Sequence, residues 1–452
     1  MSADGSVIVG GAATGSGQHH AFRWREGGTG GVAGNEQMID LGTLGGMSSM
    51  ANGVSSGGDY VVGSSQDPGG AIAFRWDEER GMVAVEELLS EDDVDVGDWR
   101  LQVANDVSTD GRVIIGTMNR AAENRAFLAR LGDGTGGGGG GVMDVEEYNR
   151  TLYAGAGGIA SAGEFLSWLP MNGAHHRPLM MTPDLTGDMC AWASGDFAHH
   201  GGTSTGLALA EIGACTDLAG GSVRIGGAVG TTRSWQDLSL GGASRLAGQY
   251  VLGEVDWQPD GTPLLLSATG MLGGWQANVG RAYSNGAATA VSSGQTRATG
   301  GVIRLRADWL EAVSLGNTTF NPWTSVSLGA LHVDGYTESS GPFPALFNAQ
   351  SMTHVDVRVG LTAVTEFSSQ TKLSTTFEVA HRSGTAPGAS GQVDGLFAFS
   401  LGGGRQSQTW VRAGVELDHK ITDNLSLSTS VHLATAGRDP SIAGSLGVKA
   451  VF

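Results

Sequence analysis

The sequence is poor in three things, and each shortage excludes something. Two cysteines in 452 residues cannot make a disulfide scaffold. Only three lysines are present (Lys372, Lys420 and Lys449), and 26 basic residues stand against 45 acidic ones, a net charge of −19. Nucleic-acid binding is excluded on that balance, because phosphates must be met by clustered Lys and Arg. Nor is there a run of roughly 18 apolar residues, so a membrane-spanning helix is excluded too. One membrane architecture survives: a β-barrel, whose alternating strands never look hydrophobic in a window. The opening MSADGSVIVGG has no basic start, apolar centre or small-residue cleavage site, so no secretory signal peptide is expected in this chain.

What is abundant is glycine, 76 residues of it, which suits an all-β chain with many turns. The N-terminal third repeats. Ser2-Ala-Asp-Gly-Ser-Val-Ile-Val-Gly10 returns as Ser55-Ser-Gly-Gly-Asp-Tyr-Val-Val-Gly63 and again as Ser108-Thr-Asp-Gly-Arg-Val-Ile-Ile-Gly116, at an interval of 53 residues each time. A second marker keeps nearly the same period: Ala21-Phe-Arg-Trp24, Ala73-Phe-Arg-Trp76 and Ala126-Phe-Leu-Ala129. Two markers on one period predict tandem units, each a turn, a β-branched strand, a loop and an aromatic strand, stacked or propeller-like. A propeller closes with about four blades or more. Residue 1 falls inside a unit, so the expectation is a truncated or mis-started reading frame.

These units resemble the HAF repeats of bacterial extracellular proteins, on Ala21-Phe-Arg-Trp24, Leu41-Gly-Thr-Leu-Gly-Gly46, Ala51-Asn-Gly-Val-Ser55 and Ala73-Phe-Arg-Trp76. The resemblance covers residues 1–131; the third unit departs from it, with Leu128-Ala129 where Arg-Trp is expected. The functional reading of the repeats is a surface-exposed binding array, a β spacer being the plainer alternative.

Gly132 to Gly141 is nearly pure glycine, a flexible run and a natural boundary. Val142 to Leu169 follows as a helix candidate, with Asp144, Glu146 and Glu147 at its start and Pro170 expected to end it. Beyond residue 188 the chain alternates. Ile303, Leu305, Ala307 and Trp309 alternate with Arg304, Arg306 and Asp308; Val355, Val357, Val359 and Leu361 with Asp356, Arg358 and Gly360; Val411, Ala413, Val415 and Leu417 with Arg412, Gly414, Glu416 and Asp418. One face is lipid-like. The other carries Arg with Asp or Glu and almost no Lys, the composition expected of a lumen in which opposite charges pair rather than of a sandwich facing water. Trp192, Trp235, Trp257, Trp275, Trp309, Trp323 and Trp410, near strand ends, are expected to form interfacial girdles. Thirteen strand windows can be drawn. An even number is required, and the window at 393–402 is the one expected to belong to an outer loop, leaving twelve.

The last strand places Ile442, Leu446, Val448, Ala450 and the terminal Phe452 on one face and resembles the insertion signal of outer-membrane barrels. From about Met143 to Phe452, with Tyr336-Thr-Glu338 and Gly341-Pro-Phe-Pro344, the chain resembles the autotransporter family of type V secretion. That resemblance implies a twelve-stranded transmembrane barrel (189–452), a hinge and pore helix (132–188) threading it, and an exported passenger (1–131). It also implies outer-membrane lipid, the barrel assembly machinery, periplasmic chaperones and, through an upstream signal peptide, the Sec translocon as partners. A monomer with an unknown extracellular ligand is expected.

Chemistry is sparse. A hairpin turning at Gly202-Thr203 sets Cys190 opposite Cys215, on the polar side with Ser194, Asp196 and Glu211, so a disulfide is predicted; two unrelated thiols are the alternative. Gly202-Thr-Ser-Thr-Gly206 is similar to a protease nucleophile motif, but no matching Asp and His segments precede it. The adjacent pairs His19-His20, His175-His176 and His199-His200 lack partners at ligand spacing. No cofactor, metal or catalytic residue is assigned. The expected function is an outer-membrane autotransporter whose lumen charges Arg304, Arg306, Asp308, Asp356, Arg358, Arg412 and Glu416 hold a polar channel around the helix. A passive porin and an enzyme-bearing passenger are the alternatives.

Overall fold

A computed structural model describes residues 1–133, 139–181 and 188–452; half of the predicted glycine hinge, residues 134–138, lies outside them. The chain divides into two compact units, residues 1–152 with 282–292 and 340–344, and residues 153–281 with 293–339 and 345–452.

The N-terminal unit carries one small antiparallel sheet per repeat. The first has strands Val7–Ala13, His19–Arg25 and Met38–Asp40; the second Ser49–Val54, Val61–Asp67, Gly70–Asp77 and Gly81–Ala84; the third Arg100–Val107, Val113–Arg120, Glu123–Arg130 and Gly141–Asp144. The 53-residue period is visible atom by atom. Gly5, Gly58 and Gly111 occupy the same left-handed turn position, at φ 76°, 82° and 72°, where a side chain would be strained. In each turn the leading serine hydroxyl accepts from the amide five residues on: Val7 N to Ser2 Oγ at 3.0 Å, Tyr60 N to Ser55 Oγ at 3.0 Å and Val113 N to Ser108 Oγ at 2.9 Å.

A three- or four-stranded sheet of this size cannot bury its own face. Consecutive sheets therefore share cores. Val7 and Ala21 of the first pack with Val54, Val61 and Phe74 of the second; Val62 and Ala73 of the second pack with Leu101, Ile114 and Phe127 of the third and with helix α1 (Val85–Glu91). The marker arginines tie neighbours together, since Arg23 Nε donates to the carbonyl of Gly58 at 2.9 Å and Arg75 Nη1 to that of Gly111 at 3.2 Å. Leu128 stands at this position in the third repeat. The third sheet extends past the boundary expected at 131, because Gly141–Asp144, beyond the glycine run, pairs with Phe127 to Arg130.

In the second unit, twelve antiparallel strands among the described residues close into a barrel: β1 (Met189–His200), β2 (Thr205–Leu218), β3 (Val223–Asp237), β4 (Ala243–Trp257), β5 (Leu264–Asn285), β6 (Ala288–Trp309), β7 (Thr318–Val333), β8 (Gln350–Glu366), β9 (Thr371–Thr385), β10 (Arg405–Thr422), β11 (Leu425–Ala434) and β12 (Ile442–Val451). Closure runs through β1 and β12, with Cys190 opposite Val451 and His199 opposite Ile442. No open edge is left in lipid, where each unpaired backbone group costs several kcal/mol. Residues 397–402 lie outside the barrel, in a four-stranded sheet with Tyr336–Thr337, Ala345–Phe347 and Gly388–Val393. Strands β5 and β6 run well beyond the windows expected for them, 263–278 and 297–312. Their extensions, 279–296, are rich in small and polar residues and give no lipid-face signal.

Alternation follows the two solvents. Along β8, Val355, Val357, Val359 and Leu361 are exposed, 39–60%, whereas His354, Asp356 and Arg358 are buried at 0–4%. The tryptophans divide the same way and correct the girdle. Trp235, Trp257 and Trp309 face outward, but Trp275, Trp323 and Trp410 are buried inside and Trp192 is turned to Glu211. Position near a strand end does not decide the matter; parity with the charged face does.

Candidate functional site

The lumen is filled by the chain's own helix and the segment that follows it. Helix α2 runs Val145–Asn172, capped at its start by Asp144, whose Oδ1 accepts the amides of Glu146 at 2.9 Å and Glu147 at 3.1 Å. It ends three residues later than expected. Pro170 sits inside its last turn, where the missing donor forfeits a single bond and Gly173 N still reaches the carbonyl of Leu169 at 2.8 Å. From Gly155 on, the helix is buried on nearly every side, with Ile159, Phe165, Leu166, Trp168 and Leu169 among its buried residues. Its glycines, poor helix formers, answer to the narrow bore: a Cβ on Gly158 would lie 2.7 Å from Gln236 Oε1 of β3.

After the helix, residues 173–181 have little regular structure, so their backbone groups need partners from the barrel wall. Carboxylates take the amides. Asp196 accepts from Ala174 N at 3.0 Å, Glu254 from Leu179 N at 2.8 Å and Asp256 from Met180 N at 2.8 Å. Guanidiniums take the carbonyls. Arg304 donates to Met171 O at 2.6 Å and His175 O at 2.5 Å, Arg306 to His176 O at 2.8 Å and Arg412 to Asn172 O at 2.7 Å. His175 is buried between Glu211 at 2.9 Å and Glu254 at 3.2 Å. Arg177 reaches Glu416 at 2.8 Å and Asp418 at 2.7 Å, and His176 meets Glu416 at 2.9 Å. This division of labour accounts for an arginine-rich, lysine-poor lumen, because one planar fork can hold two acceptors at once and an ammonium cannot in that geometry.

The seven charges singled out by alternation all point inward, each at most 7% exposed. Two pairs form within strands: Arg306 with Asp308 at 2.7 Å and Arg358 with Asp356 at 2.8 Å. The other three have partners elsewhere. Arg412 meets Glu378 of β9 at 3.3 Å, while Glu416 serves Arg177 of the plug, the segment 173–181 inside the barrel. Arg304 grips the two plug carbonyls, and among the described residues no carboxylate is in ion-pair contact with it. Alternation identifies the face of a residue, not its partner. It misses Glu164 on the helix and Asp439 in the loop before β12, which accepts from both terminal nitrogens of Arg358 at 2.7 and 2.8 Å. Neither lies in an alternating strand, and no signal in the sequence marks them.

Cys190 and Cys215 stand opposite each other in the β1–β2 register and are joined as a disulfide, with Cα atoms 4.9 Å apart. Both are buried, beside Leu179 and Val451. On the last strand Ile442, Leu446, Val448 and Phe452 are 41–65% exposed on the outer face, with Ala450 half-buried, while Lys449 and Val451 turn inward. The lumen retains a cavity of about 320 Å³, lined in part by Arg177, Asn321 and Glu416.

Residues 191–432 match the family model of the autotransporter beta-domain. No curated protein matches the chain. Among solved structures, the translocator domain of the autotransporter NalP from Neisseria meningitidis is similar, with 13% identity, a TM-score of 0.51 and coverage of 66% of this chain and 99% of that one. The beta domain of the Bordetella autotransporter BrkA (16% identity, TM-score 0.43, 59% and 99% covered) and the transport unit of AIDA-I from Escherichia coli (16%, 0.35, 65% and 99%) are also similar.

Proposed function

The chain belongs to the autotransporter family, its barrel lying in the bacterial outer membrane, and from that premise we propose that the barrel exports the N-terminal three-sheet unit and keeps it displayed at the cell surface. The observation that carries the reading is helix α2: leaving the repeat-bearing unit at Leu152, the chain continues through the lumen as one helix and is tied to the wall at its far end. A bore that a single helix and its trailing segment nearly fill admits polypeptide only as a narrow strand, so the passenger crosses unfolded and its sheets form outside.

The mechanism is non-covalent and no reaction is assigned. Outer-membrane insertion proceeds through the general assembly machinery. In this reading the outward row ending at Phe452 is the insertion signal, periplasmic chaperones and the Sec translocon act upstream given a signal peptide, and the HAF-like sheets meet an extracellular ligand while the barrel stays monomeric. The rival reading, a passive porin, is disfavoured by the filled lumen.

The test is surface labelling. The full chain behind a secretory signal peptide, carrying Met47→Cys at a 70% exposed site, is treated on intact cells with a membrane-impermeant maleimide. Label on the cell-associated protein is expected. Protein that is folded in the outer membrane yet unlabelled on intact cells, and labelled after lysis, refutes display.

A further inference from the structure

Within the N-terminal unit a cleft of about 570 Å³ opens beside the third sheet, a size typical of small-molecule sites at roughly 300–1,000 Å³. Its floor includes Leu101 and Met118, both buried, and its rim Trp99, Arg120, Glu123 and Arg125. The rim is pre-organised. Trp99 ends a loop fixed by Asp95, whose carboxylate accepts the amide of Gly97 at 2.8 Å and whose carbonyl accepts that of Ala287 at 2.8 Å. Arg120 stacks on the indole, its guanidinium carbon 4.4 Å from the ring centroid.

On the rim the charges are already matched, while Asp98, Asp144, Glu147 and Arg150 make the rest of the lining net acidic. Glu123 accepts from Arg120 at 3.1 Å and from Arg125, and Arg125 also reaches Glu146 at 2.6 Å. The two guanidiniums, Arg125 first, hold the Glu123 carboxyl below the ordinary range. An anion would have to displace carboxylates from these arginines, and a cation would have to displace arginines from the carboxylates. A neutral polyhydroxylated ligand displaces nothing: adjacent hydroxyls can accept from a guanidinium and donate to its carboxylate partner, whose donor and acceptor capacity exceeds the bonds already made. The indole and the apolar floor suit the C–H face of a pyranose ring. We propose that this cleft binds a neutral oligosaccharide, with Trp99 as its platform and the Arg120–Glu123–Arg125 group reading hydroxyl pairs.

The proposal rests on the reading of the repeats as a displayed binding unit, and its test separates the two. Full-length protein in detergent is applied to an array of immobilised neutral oligosaccharides and sialyllactose. Binding to at least one neutral glycan is expected, weakened at least roughly tenfold by Trp99→Ala, as for a central aromatic anchor, and kept by Trp99→Phe. Should Trp99→Ala disturb the sheet, judged by protease resistance, Glu123→Gln decides: it removes the carboxylate that the two rim arginines share and is expected to weaken neutral-glycan binding while admitting sialyllactose. Wild-type preference for sialyllactose, undiminished binding by folded Trp99→Ala, or no glycan bound at all overturns the proposal. Maleimide labelling at position 47 reports on display independently of each of these outcomes.

Discussion

Glu164, in the middle of helix α2, accepts a hydrogen bond from Arg382 of β9 at 2.9 Å, with the two residues 1% and 2% exposed. It is a point at which the helix is held by charge as well as by packing. Arg382 is also stacked on Trp168 of the helix, its guanidinium carbon 4.0 Å from the ring centroid, and its Nε is bonded to Asp356 of β8 at 2.9 Å. One arginine thus joins the helix to two strands of the wall.

Removing one partner of a buried ion pair costs about 3–5 kcal/mol, because the other is left desolvated. Glu164→Ala is expected at the low end, about 3 kcal/mol, since Asp356 remains on Arg382. The temperature of the gel-mobility change that marks barrel unfolding should fall, and single-channel conductance in planar bilayers should rise as the helix leaves its seat more often. A conductance trace identical to wild type would mean that packing alone retains the helix.

The disulfide between Cys190 and Cys215 fastens β1 to β2 where the chain enters the barrel from the plug. Titrating the unreduced protein with a thiol reagent in denaturant is expected to find no free thiol, and two after reduction. Cys190→Ser should lower barrel stability by about 3 kcal/mol or somewhat less, the effect of opening a loop of this length in a strand pair that is hydrogen-bonded anyway. Two reactive thiols before reduction would refute the bond.

How much of this could be read beforehand differs by element. The barrel was legible because lipid and lumen impose opposite chemistry on alternate residues, so Ile303 and Arg304 declare their faces from position alone. The repeats were legible because each turn needs the same serine and the same left-handed glycine. The plug was not. Residues 173–181 have no period, and their bonds come from backbone groups that every residue has, so nothing distinguishes Ala174 or Met180 in advance. The wall residues that serve them, Arg304 and Arg412 among them, alternate like the rest of the lumen face, so their bonds to the carbonyls of Met171, Asn172 and His175 are not marked by position. Glu164 reads as an ordinary polar helix residue until the opposite wall is placed.

In the N-terminal unit Arg100 Nη2 donates to Asp67 at 2.5 Å, joining the third sheet to the second, and this bond with Arg100 holds the Asp67 carboxyl below its ordinary value. A lowered folded-state value means that the stabilisation is fully present above about pH 5, beyond the unfolded aspartate range near 3.9, and is lost as pH falls through the folded value. The pair is partly exposed, 30% and 22%, so its worth is under about 1 kcal/mol. Asp67→Asn is therefore expected to speed hydrogen exchange in Gly70–Asp77 and Arg100–Val107 modestly at pH 7, with the difference from wild type shrinking as pH falls below the unfolded aspartate range. A difference that does not shrink on acidification would assign the effect to shape rather than charge.

Phe452 is 65% exposed on the outer face at the end of β12, and its backbone is tied to β1 by reciprocal bonds, Phe452 N to Met189 O at 2.9 Å and Met189 N to Phe452 O at 3.1 Å. The backbone bonds close the barrel and do not depend on the side chain, which is largely exposed. Phe452→Ser should therefore leave the stability of the refolded barrel nearly unchanged while sharply lowering the amount assembled in the outer membrane of cells, if the ring is what the assembly machinery reads. The comparison is between refolding into detergent and the heat-modifiable fraction recovered from membranes. Equal losses in both would place the role of Phe452 in barrel closure, and no loss in either would move the insertion signal to Ile442, Leu446 and Val448 alone.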